Sequence, residues 1–435
     1  SGQVLDRIPL SLIPTDRSYG RTLGLGGVYY YEAPTPGAAN GTGYYGYVIN
    51  PSFSERGGQY TGTLNVTLNI PEGSVVYYTT NGDIPATDRE SASEYHAGDI
   101  LQLTRTTVLR ARAFDPSGQL QPSETITQTY LMNVYHAFSI FCLTGDTDAL
   151  WGSTDGMLTV DDDIIYDKIR FKTARGDYPI YRLFGKVFRE GYVEYYDKES
   201  GAQVISQGME FGLQGQYSLD MPQKTFKVKA KAAYGSKYFD AALFDNREYT
   251  QYKSFVLRMS GNDCVWTRFN DAFQSCLIDR FNEVSPNPTD VIHQAWKPVV
   301  VYLNGMYWGH YNLRERADRF FIAQHEGIGL ENADQMDILE ASGTVAYGSK
   351  DEYSALIKKA KTLSPGKSEA DLQYITDRID VDNYFDYMAL EMFFGNSDPG
   401  NIRYYKLKTE GSKWKWLLYD VDYGLFYSSF NSVKS

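Results

Sequence analysis

The sequence predicts an α+β chain in which a small all-β sandwich precedes a mixed domain of helices and strands. Short segments that alternate apolar and polar residues, separated by turn residues, fill the region from about 46 to 133. From residue 134 onward, strand-like segments mix with segments whose apolar residues recur at helical spacing. A period of two is typical of strands and a period of 3.6 of helices, so this change predicts a change of architecture.

The composition of the 435-residue chain indicates a folded protein of two or three domains. Hydrophobic residues make up 42% of the chain, enough for sizeable cores, and a charged fraction of 22% argues against extensive disorder. The formal net charge is −12 and no long Lys/Arg stripe offsets it, which disfavours nucleic-acid binding. No run of about 18 apolar residues occurs, so we expect no membrane-spanning helix.

The three cysteines are too few and too scattered for a metal cluster or a disulfide-rich scaffold. A disulfide between Cys264 and Cys276 stays open, although buried free thiols are the favoured interpretation. The five histidines show no ligand spacing, so we interpret them as surface or packing residues.

Residues 1–45 are rich in Gly, Tyr and Pro. Pro34 and Pro36 each remove a backbone donor, which predicts an irregular segment around them. The segment Ala33–Asn40 resembles the closing segment of lamin-tail-type β domains, so we interpret residues 1–45 as the end of such a domain or a linker. The first residues do not resemble a native start, and we expect the chain to be part of a larger cell-surface protein.

Residues 46–133 are predicted to form the β-sandwich. Leu64–Ile70 and Thr107–Phe114 alternate with period two, and turn residues such as Asn81-Gly82-Asp83 separate such segments. Val76–Pro85 followed by Val108–Ala113 is similar to the chitobiase C-terminal-like, fibronectin-type-III-associated module. The resemblance implies a spacer or surface-display unit of a secreted bacterial protein.

Two helices are predicted within residues 134–435. Residues 351–363 and 381–394 carry apolar side chains at the spacing of one helical face. Asp351 and Asp382 lie where N-terminal caps or first-turn carboxylates belong.

An acidic cluster follows the strand-like segment Trp414–Tyr419. Asp420 and Asp422 are two residues apart, so in an extended chain both carboxylates lie on one face. Two close carboxylates repel unless a cation joins them, and Mg²⁺ with phosphate oxygens meets that need. The alternative is a solvated strand end.

The loop after the second predicted helix offers a carboxylate and a carboxamide, Asp398 and Asn401. Phosphoryl transfer needs a carboxylate near the attacking hydroxyl and oxygen ligands for Mg²⁺, which these residues could supply. The alternative is an ordinary Asx-rich turn, since Asp-Pro-Gly forms one by itself.

Lys224 begins an alternating segment and lies on its more apolar face, opposite Lys227, Lys229 and Lys231. A lysine on a buried face is costly unless it meets an anion, and a nucleotide phosphate would serve. The alternative is a lysine that snorkels at a strand end.

Two strand-like runs flank Asn304-Gly305, which predicts a β-hairpin. The chain then continues toward a helix, and Glu315 near the start of that helix could pair with Lys224. The alternative for Glu315 is a surface charge at a helix end.

In this order, the features resemble the CotH kinase family. The stretches that carry the resemblance are Leu150–Gly156, Gly215–Ser218 with Pro222–Phe226, Phe255–Asp263, Tyr302–Gly309 with Arg314–Arg316, and Asn396–Asn401 with Asp420–Asp422. The resemblance implies a divergent, two-lobed protein-kinase-like domain over residues 134–435, with the C-terminal lobe cut short. It implies a domain that binds ATP with Mg²⁺ or Mn²⁺ and phosphorylates Ser or Thr of a protein.

The resemblance also implies roles for individual residues. Lys224 would hold nucleotide phosphates with Glu315 as its ion-pair partner, and Asp398 would orient the acceptor hydroxyl. Asn401, Asp420 and Asp422 would bind the metal, with the chief ligand of the two aspartates left open. Trp414 or Trp416 would stack on the adenine.

We therefore expect an extracellular or cell-surface bacterial protein kinase whose protein substrate the sequence does not identify. The alternative is a non-catalytic adhesin or scaffold on a degenerate kinase fold. Gln214, which stands where the family usually has Arg or His, and the Tyr-rich, acidic composition favour this alternative. A third hypothesis makes the sandwich a carbohydrate-binding unit.

Overall fold

The computed structural model describes residues 4, 7–9, 11, 13, 17–22, 24, 26–153, 156–159, 187–215, 217–363, 368–398, 400–427, 429, 431 and 432. Four positions of the family-like stretches, Thr154, Asp155, Gln216 and Pro399, lie outside the described residues. The chain forms two compact units. The first unit comprises Ser1–Gly212, Ala230–Tyr238 and Val299–His310, and the second comprises Leu213–Lys229, Phe239–Pro298 and Tyr311–Ser435.

The strands of the described residues follow in chain order. They are β1 (Ser18–Gly20), β2 (Tyr29–Tyr31), β3 (Ser52–Phe53), β4 (Gly58–Tyr60), β5 (Leu64–Val66), β6 (Leu68–Asn69), β7 (Val75–Thr79), β8 (Ser93–Tyr95), β9 (Leu101–Leu103), β10 (Thr107–Phe114), β11 (Ile126–Met132), β12 (Ser139–Gly145), β13 (Arg189–Tyr196), β14 (Gln203–Gln214), β15 (Thr225–Lys229), β16 (Phe239–Asp240), β17 (Gln251–Tyr252), β18 (Ser254–Arg258), β19 (Trp296–Leu303), β20 (Met306–Glu315), β21 (Met336–Glu340), β22 (Thr344–Tyr347), β23 (Arg403–Leu407) and β24 (Lys415–Leu417).

The α-helices of the described residues are α1 (Thr147–Trp151), α2 (Asn270–Val284), α3 (Arg319–His325), α4 (Asp351–Ala360), α5 (Glu369–Thr376) and α6 (Val381–Phe394). Short 3₁₀ turns occupy Tyr217–Asp220, Gly261–Val265 and Leu330–Asn332. The two helices predicted from periodicity are α4 and α6, and both are confirmed. Gly395 ends α6 with a left-handed φ of 60°, the conformation that glycine adopts most readily, and this end directs the chain into the Asn396–Asn401 loop.

The sandwich in the first unit contains a five-stranded sheet in the order β4-β11-β10-β7-β8. The long strand β10, which its period-two pattern predicted, lies between β7 and β11 and is antiparallel to both. Inward-facing apolar residues of β7 and β10, including Val76, Ala111 and Ala113, form a fully buried core. The N-terminal all-β region predicted from the sequence is confirmed.

The first unit continues with strands that follow the sandwich. β12 pairs antiparallel with β13 and parallel with β19, and β13 pairs antiparallel with β14. β19 and β20 are joined by Asn304-Gly305, whose φ values of 48° and 76° are the positive pair that a two-residue hairpin turn requires. The predicted hairpin is confirmed.

The second unit contains a group of antiparallel strands and, separately, a four-stranded sheet that packs against helices. β15 pairs with β18, which in turn pairs with the C-terminal half of β20. A four-stranded sheet in the order β22-β21-β23-β24 packs against α4 and α6 through a large apolar cluster. The mixed α+β architecture is confirmed, whereas the kinase-like lobes and the domain limits at residues 45 and 133 stay predictions.

No helix among the described residues is long and apolar enough to span a bilayer. All three cysteines are free thiols, as the favoured interpretation of the sequence expected, but only Cys142 is buried, and Cys264 and Cys276 are half-buried.

Candidate active site

Three of the predicted site residues meet through one carboxamide. The Nδ2 atom of Asn401 donates to Asp398 Oδ2 and to Asp420 Oδ2, at 3.1 Å in each case. Asp398 and Asn401 come from the loop after α6, and Asp420 follows β24, nineteen residues later in the chain. The structure thus brings together residues that the sequence separates, as predicted.

Arg258, at the end of β18, joins Asp420 to the fourth predicted acid. Its NH2 atom lies 2.5 Å from Asp420 Oδ1 and 3.1 Å from Asp422 Oδ2. Asp422 also accepts the backbone N–H of Asn262 at 2.8 Å. Burial, together with the charge of Asp420, raises the pKa of the Asp422 carboxyl above its usual range although Arg258 acts in the opposite direction.

The two aspartates differ in access, which the sequence could not decide. The side chain of Asp420 is 31% exposed, whereas that of Asp422 is 3% exposed. Asp420 has a left-handed φ of 57°, so Asp420 and Asp422 do not continue one extended strand as the i, i+2 argument assumed. Asp420 is therefore the accessible carboxylate, and Asp422 is a buried partner of Arg258.

A second buried acid, Asp271 near the start of α2, also forms an ion pair with Arg258. Its Oδ2 atom lies 3.5 Å from Arg258 Nε and 2.5 Å from Arg314 NH1. These two guanidinium groups outweigh the effect of burial and lower the pKa of Asp271. Asp271 Oδ1 also accepts the N–H of Val421, so the network ties β18, β20 and α2 to the segment that carries Asp420.

The four predicted site residues Asp398, Asn401, Asp420 and Asp422 all line a cavity of about 870 Å³ in the second unit. That volume lies within the range of small-molecule sites, roughly 300–1,000 Å³. The basic side chains of its lining are Lys229, Arg258, Arg314, Arg316, Arg319 and Arg403. An anionic ligand thus meets positive charge beside the carboxylates.

One part of the cavity lining is apolar and aromatic. Phe320, Ile338, Ala346 and Tyr347 lie there, and the Arg319 guanidinium sits 4.4 Å from the centre of the Tyr347 ring. A flat aromatic ligand fits such a surface because rings and guanidinium planes both offer stacking faces.

Lys224 does not occupy the place that the sequence suggested. Its amine donates to the backbone carbonyls of Leu219 at 2.7 Å and Met221 at 2.5 Å, and the residue is 5% exposed. Lys224 is not part of the cavity lining, which takes Thr225 and Lys229 from the same strand. Thr225 and Lys229 share one face of β15 and line the cavity, whereas Lys224 lies just before this strand and directs its amine to the Leu219 and Met221 carbonyls.

Glu315 does not pair with Lys224 either, and that prediction is wrong. The Glu315 carboxylate accepts from Arg247 Nε at 3.1 Å, from the backbone N–H of Ala295 at 2.7 Å and from the Tyr249 hydroxyl, with His325 Nε2 at 3.5 Å. Burial alone would raise its pKa, but His325, Arg247 and the Ala295 N–H together lower the pKa to about 2. Glu315 is thus a buried structural anion.

Trp414 and Trp416 lie in the hydrophobic core, so the prediction that either stacks on adenine is wrong. Trp414 is 1% exposed between Tyr353 and Tyr404, and Trp416 is 6% exposed between Tyr384 and Tyr404. Both indoles pack on aromatic rings of α4, α6 and β23, whereas Tyr419, beyond the end of β24, lines the cavity.

Sequence reasoning recognised the lysine face of β15 but assigned neither it nor Arg258 to the site. Burial, and to a smaller extent the charges of Arg316 and Lys229, lower the pKa of Lys227 on this face to about 8. The signal was present, because Lys227 and Lys229 share one face of a period-two segment and Arg258 lies within the family-like stretch Phe255–Asp263.

The acids fit a metal ion that a nucleotide brings with it. In the described part of the chain, no group of three or more His, Cys, Asp and Glu residues could hold a metal ion by itself. Mg²⁺ in phosphate-handling proteins commonly takes one or two carboxylates and completes its octahedron with phosphate oxygens and water. Asp420, which is partly exposed and lines the cavity beside Asn401, supplies the carboxylate of that donor set.

Mixed helices and strands of the second unit surround one cavity that is lined by carboxylates and arginines. The family model described as CotH kinase protein matches residues 212–430, just over half of the chain, and the chain belongs to this family. The model of the chitobiase/beta-hexosaminidase C-terminal domain matches residues 55–127, within the β-sandwich. A comparison with curated proteins gave no match.

Proposed function

We propose that the CotH domain binds ATP with Mg²⁺ or Mn²⁺ in this cavity and transfers the γ-phosphate to Ser or Thr of a protein. The observation that carries the proposal is the cluster of Asp398, Asn401 and Asp420 in a cavity that also holds basic side chains. Phosphoryl transfer depends on positioning and on charge stabilisation, and this arrangement supplies both.

The two kinds of lining support an orientation for the proposed nucleotide. The triphosphate would lie among Lys229, Arg258 and Arg316, because guanidinium and ammonium groups donate to phosphate oxygens. The adenine would lie against Phe320 and Tyr347, which replace the tryptophans expected from the sequence.

Asp420 would hold the divalent ion, with the carboxamide of Asn401 beside it, and the bound ion would neutralise charge that develops on the transferred phosphate. Arg258 keeps Asp420 and Asp422 close together despite their repulsion. Asn401 fixes the orientation of Asp398, since its amide donates to both carboxylates.

Asp398 would accept the proton of the attacking hydroxyl. The hydroxyl oxygen forms a bond to the γ-phosphorus, the bond to the bridging oxygen breaks and ADP leaves with that electron pair. A positioned base contributes about 10²–10⁴ in rate, which sets the expected cost of removing it.

The test is phosphate transfer from labelled ATP to a generic protein acceptor with Mg²⁺ or Mn²⁺. We expect Asp398→Asn to lower the rate by about 10²–10⁴ while ATP affinity stays within a few fold. Asp386→Asn is the matched control, because Asp386 is exposed on α6 and lies outside the cavity lining.

A parent chain that binds ATP but transfers no label would favour the alternative, a non-catalytic adhesin or scaffold on a degenerate kinase fold. Equal transfer by Asp398→Asn and Asp386→Asn would contradict the assigned role of Asp398.

The proposed location is outside the cell or on the cell surface of a bacterium, with a protein as the phosphate acceptor. The support is the chitobiase-type module next to the CotH domain. Protease treatment of intact cells tests the location, and full protection of the protein would contradict it.

A further inference from the structure

The tip of the β19–β20 hairpin is inserted into a polar notch of the first unit. Asn304 Nδ2 donates to the Asn81 carbonyl at 2.9 Å and to the Gly145 carbonyl at 2.8 Å, and Asn304 Oδ1 accepts the Gly145 N–H at 2.9 Å. The residue is 8% exposed although it occupies a hairpin turn, where side chains are usually solvated. These three hydrogen bonds join the side chain of Asn304 to the backbone at Asn81 and at Gly145.

The notch has room for Asn304 only because residue 82 is glycine. Gly82 has a φ of +94°, and a Cβ built on it would overlap the carboxamide of Asn304. The buried Arg110 donates to the Gly82 carbonyl at 2.9 Å and holds this turn in place. The neighbouring Gly305 approaches the backbone of Val108 and Thr107, so both residues of the hairpin turn touch the sandwich.

A second contact lies beside the notch. Asp83 Oδ1 accepts the backbone N–H of Thr147 at 2.9 Å, and Arg89 joins Asp83 at 2.9 Å to Asp146 at 3.0 Å. Asp146 caps α1, so the sandwich turn and the start of α1 form one charged network. Asp83 is 2% exposed, and its hydrogen bonds outweigh burial and lower its pKa.

The third contact is a shared core. Leu131 of β11 packs with Ile140 and Cys142 of β12 and with Val300 and Tyr302 of β19, all at most 4% exposed. The fully buried Glu194 of β13 also accepts the N–H of Thr129 in β11 at 3.0 Å. One face of β11, the last strand of the sandwich, is therefore covered by β12, β13 and β19, which lie later in the chain.

We propose that the β-sandwich is a docking platform for the CotH domain hairpin and folds with it as one cooperative unit. Gly82 lies within the chitobiase-type match, residues 55–127, and Asn304 lies within the CotH match, residues 212–430. The partner that this sandwich surface fits is the Asn304-Gly305 turn of the same chain. The sandwich then acts as a structural partner of the CotH domain rather than as a detachable spacer, and this holds whatever reaction the cavity performs.

The test compares two glycines of the sandwich in the full chain. Gly98 has the same φ of +94° as Gly82, but nothing lies within 4 Å of a Cβ at that position. Gly98→Ala therefore carries the backbone strain without the overlap and is the matched control for Gly82→Ala. Amide hydrogen exchange of Val299–His310 is the readout, because it reports local opening of the hairpin.

We expect Gly82→Ala to speed exchange in Val299–His310 at least tenfold and Gly98→Ala to leave it within about twofold. In an Asn304→Gly background the overlap is gone, so Gly82→Ala should then have no larger effect than Gly98→Ala. Equal exchange in both alanine variants would overturn the proposal. So would a Gly82→Ala effect that is undiminished when Asn304 is replaced.

Discussion

Replacing Glu315 by Gln removes a buried charge without changing the shape of the side chain. Glu315 is 2% exposed, and Arg247, whose side chain is 9% exposed, donates to it at 3.1 Å. A buried cation that loses its anion costs several kcal/mol, since water cannot replace the partner. We expect Glu315→Gln to lower the free energy of unfolding at pH 7 substantially.

The magnitude follows from the pKa of this carboxyl. Folding lowers it from 4.5 to about 2, which corresponds to about 3 kcal/mol of stability at neutral pH. Because the folded-state pKa is the lower one, this stability is present above pH 4.5 and is lost as the pH falls toward 2. Removal of one partner of a buried ion pair typically costs about 3–5 kcal/mol, in agreement with this value.

Urea unfolding at pH 7, 4.5 and 3 measures both effects. The difference in unfolding free energy between parent and Glu315→Gln should be about 3 kcal/mol at pH 7 and should shrink below pH 4.5. A double-mutant cycle identifies the partner: Glu315→Gln should couple to Arg247→Met by about 0.5–3 kcal/mol and be additive with Lys224→Met.

A loss below about 0.5 kcal/mol at pH 7, or a difference that stays constant from pH 7 to pH 3, would refute the anion role of Glu315. Coupling to Lys224→Met in place of Arg247→Met would restore the ion pair expected from the sequence.

Four further outcomes are expected. Trp414→Ala should cost about 3–5 kcal/mol in urea unfolding, because Trp414 is 1% exposed, and should leave the ATP affinity of the folded protein unchanged. Arg258→Gln should abolish phosphate transfer while Arg258→Lys retains part of it, since only the lysine keeps a charge beside Asp420; equal activities would contradict this. Gly395→Ala, at a left-handed φ of 60°, should cost about 1 kcal/mol in the same unfolding assay. The unfolding free energy should rise between pH 8 and 10.5, because the unfolded chain binds the Lys227 proton over a range where the folded protein has released it; Lys227→Met should remove this rise.

Local patterns predicted the elements well. The helix over 381–394 and the turn at Asn304-Gly305 depend on interactions within a few residues, and the structure has both as expected. The convergence of Asp398, Asn401, Asp420 and Asp422 was predicted through the family resemblance, and all four line one cavity.

The errors concern side-chain partners across the fold. Lys224 and Glu315 were paired because each needed an opposite charge, yet Glu315 is satisfied by Arg247, His325 and a backbone amide. Any of several cations in the sequence could have met that need. The resemblance assigned Trp414 or Trp416 to the adenine, but both indoles are buried in the core, and Tyr419, beyond the end of β24, lines the cavity.

The sequence by itself determined the all-β region, the later mixed domain, the hairpin turn and the acidic residues that gather at the cavity. Period, turn chemistry and charge are local properties, so they can be inferred from neighbours in the chain. Only the tertiary structure decided which face of β15 meets the cavity, that Arg258 bridges Asp420 and Asp422, and that Asn304 packs against Gly82. These outcomes depend on which distant segments compete for the same partner and the same space, and a pattern along the chain carries no record of that competition.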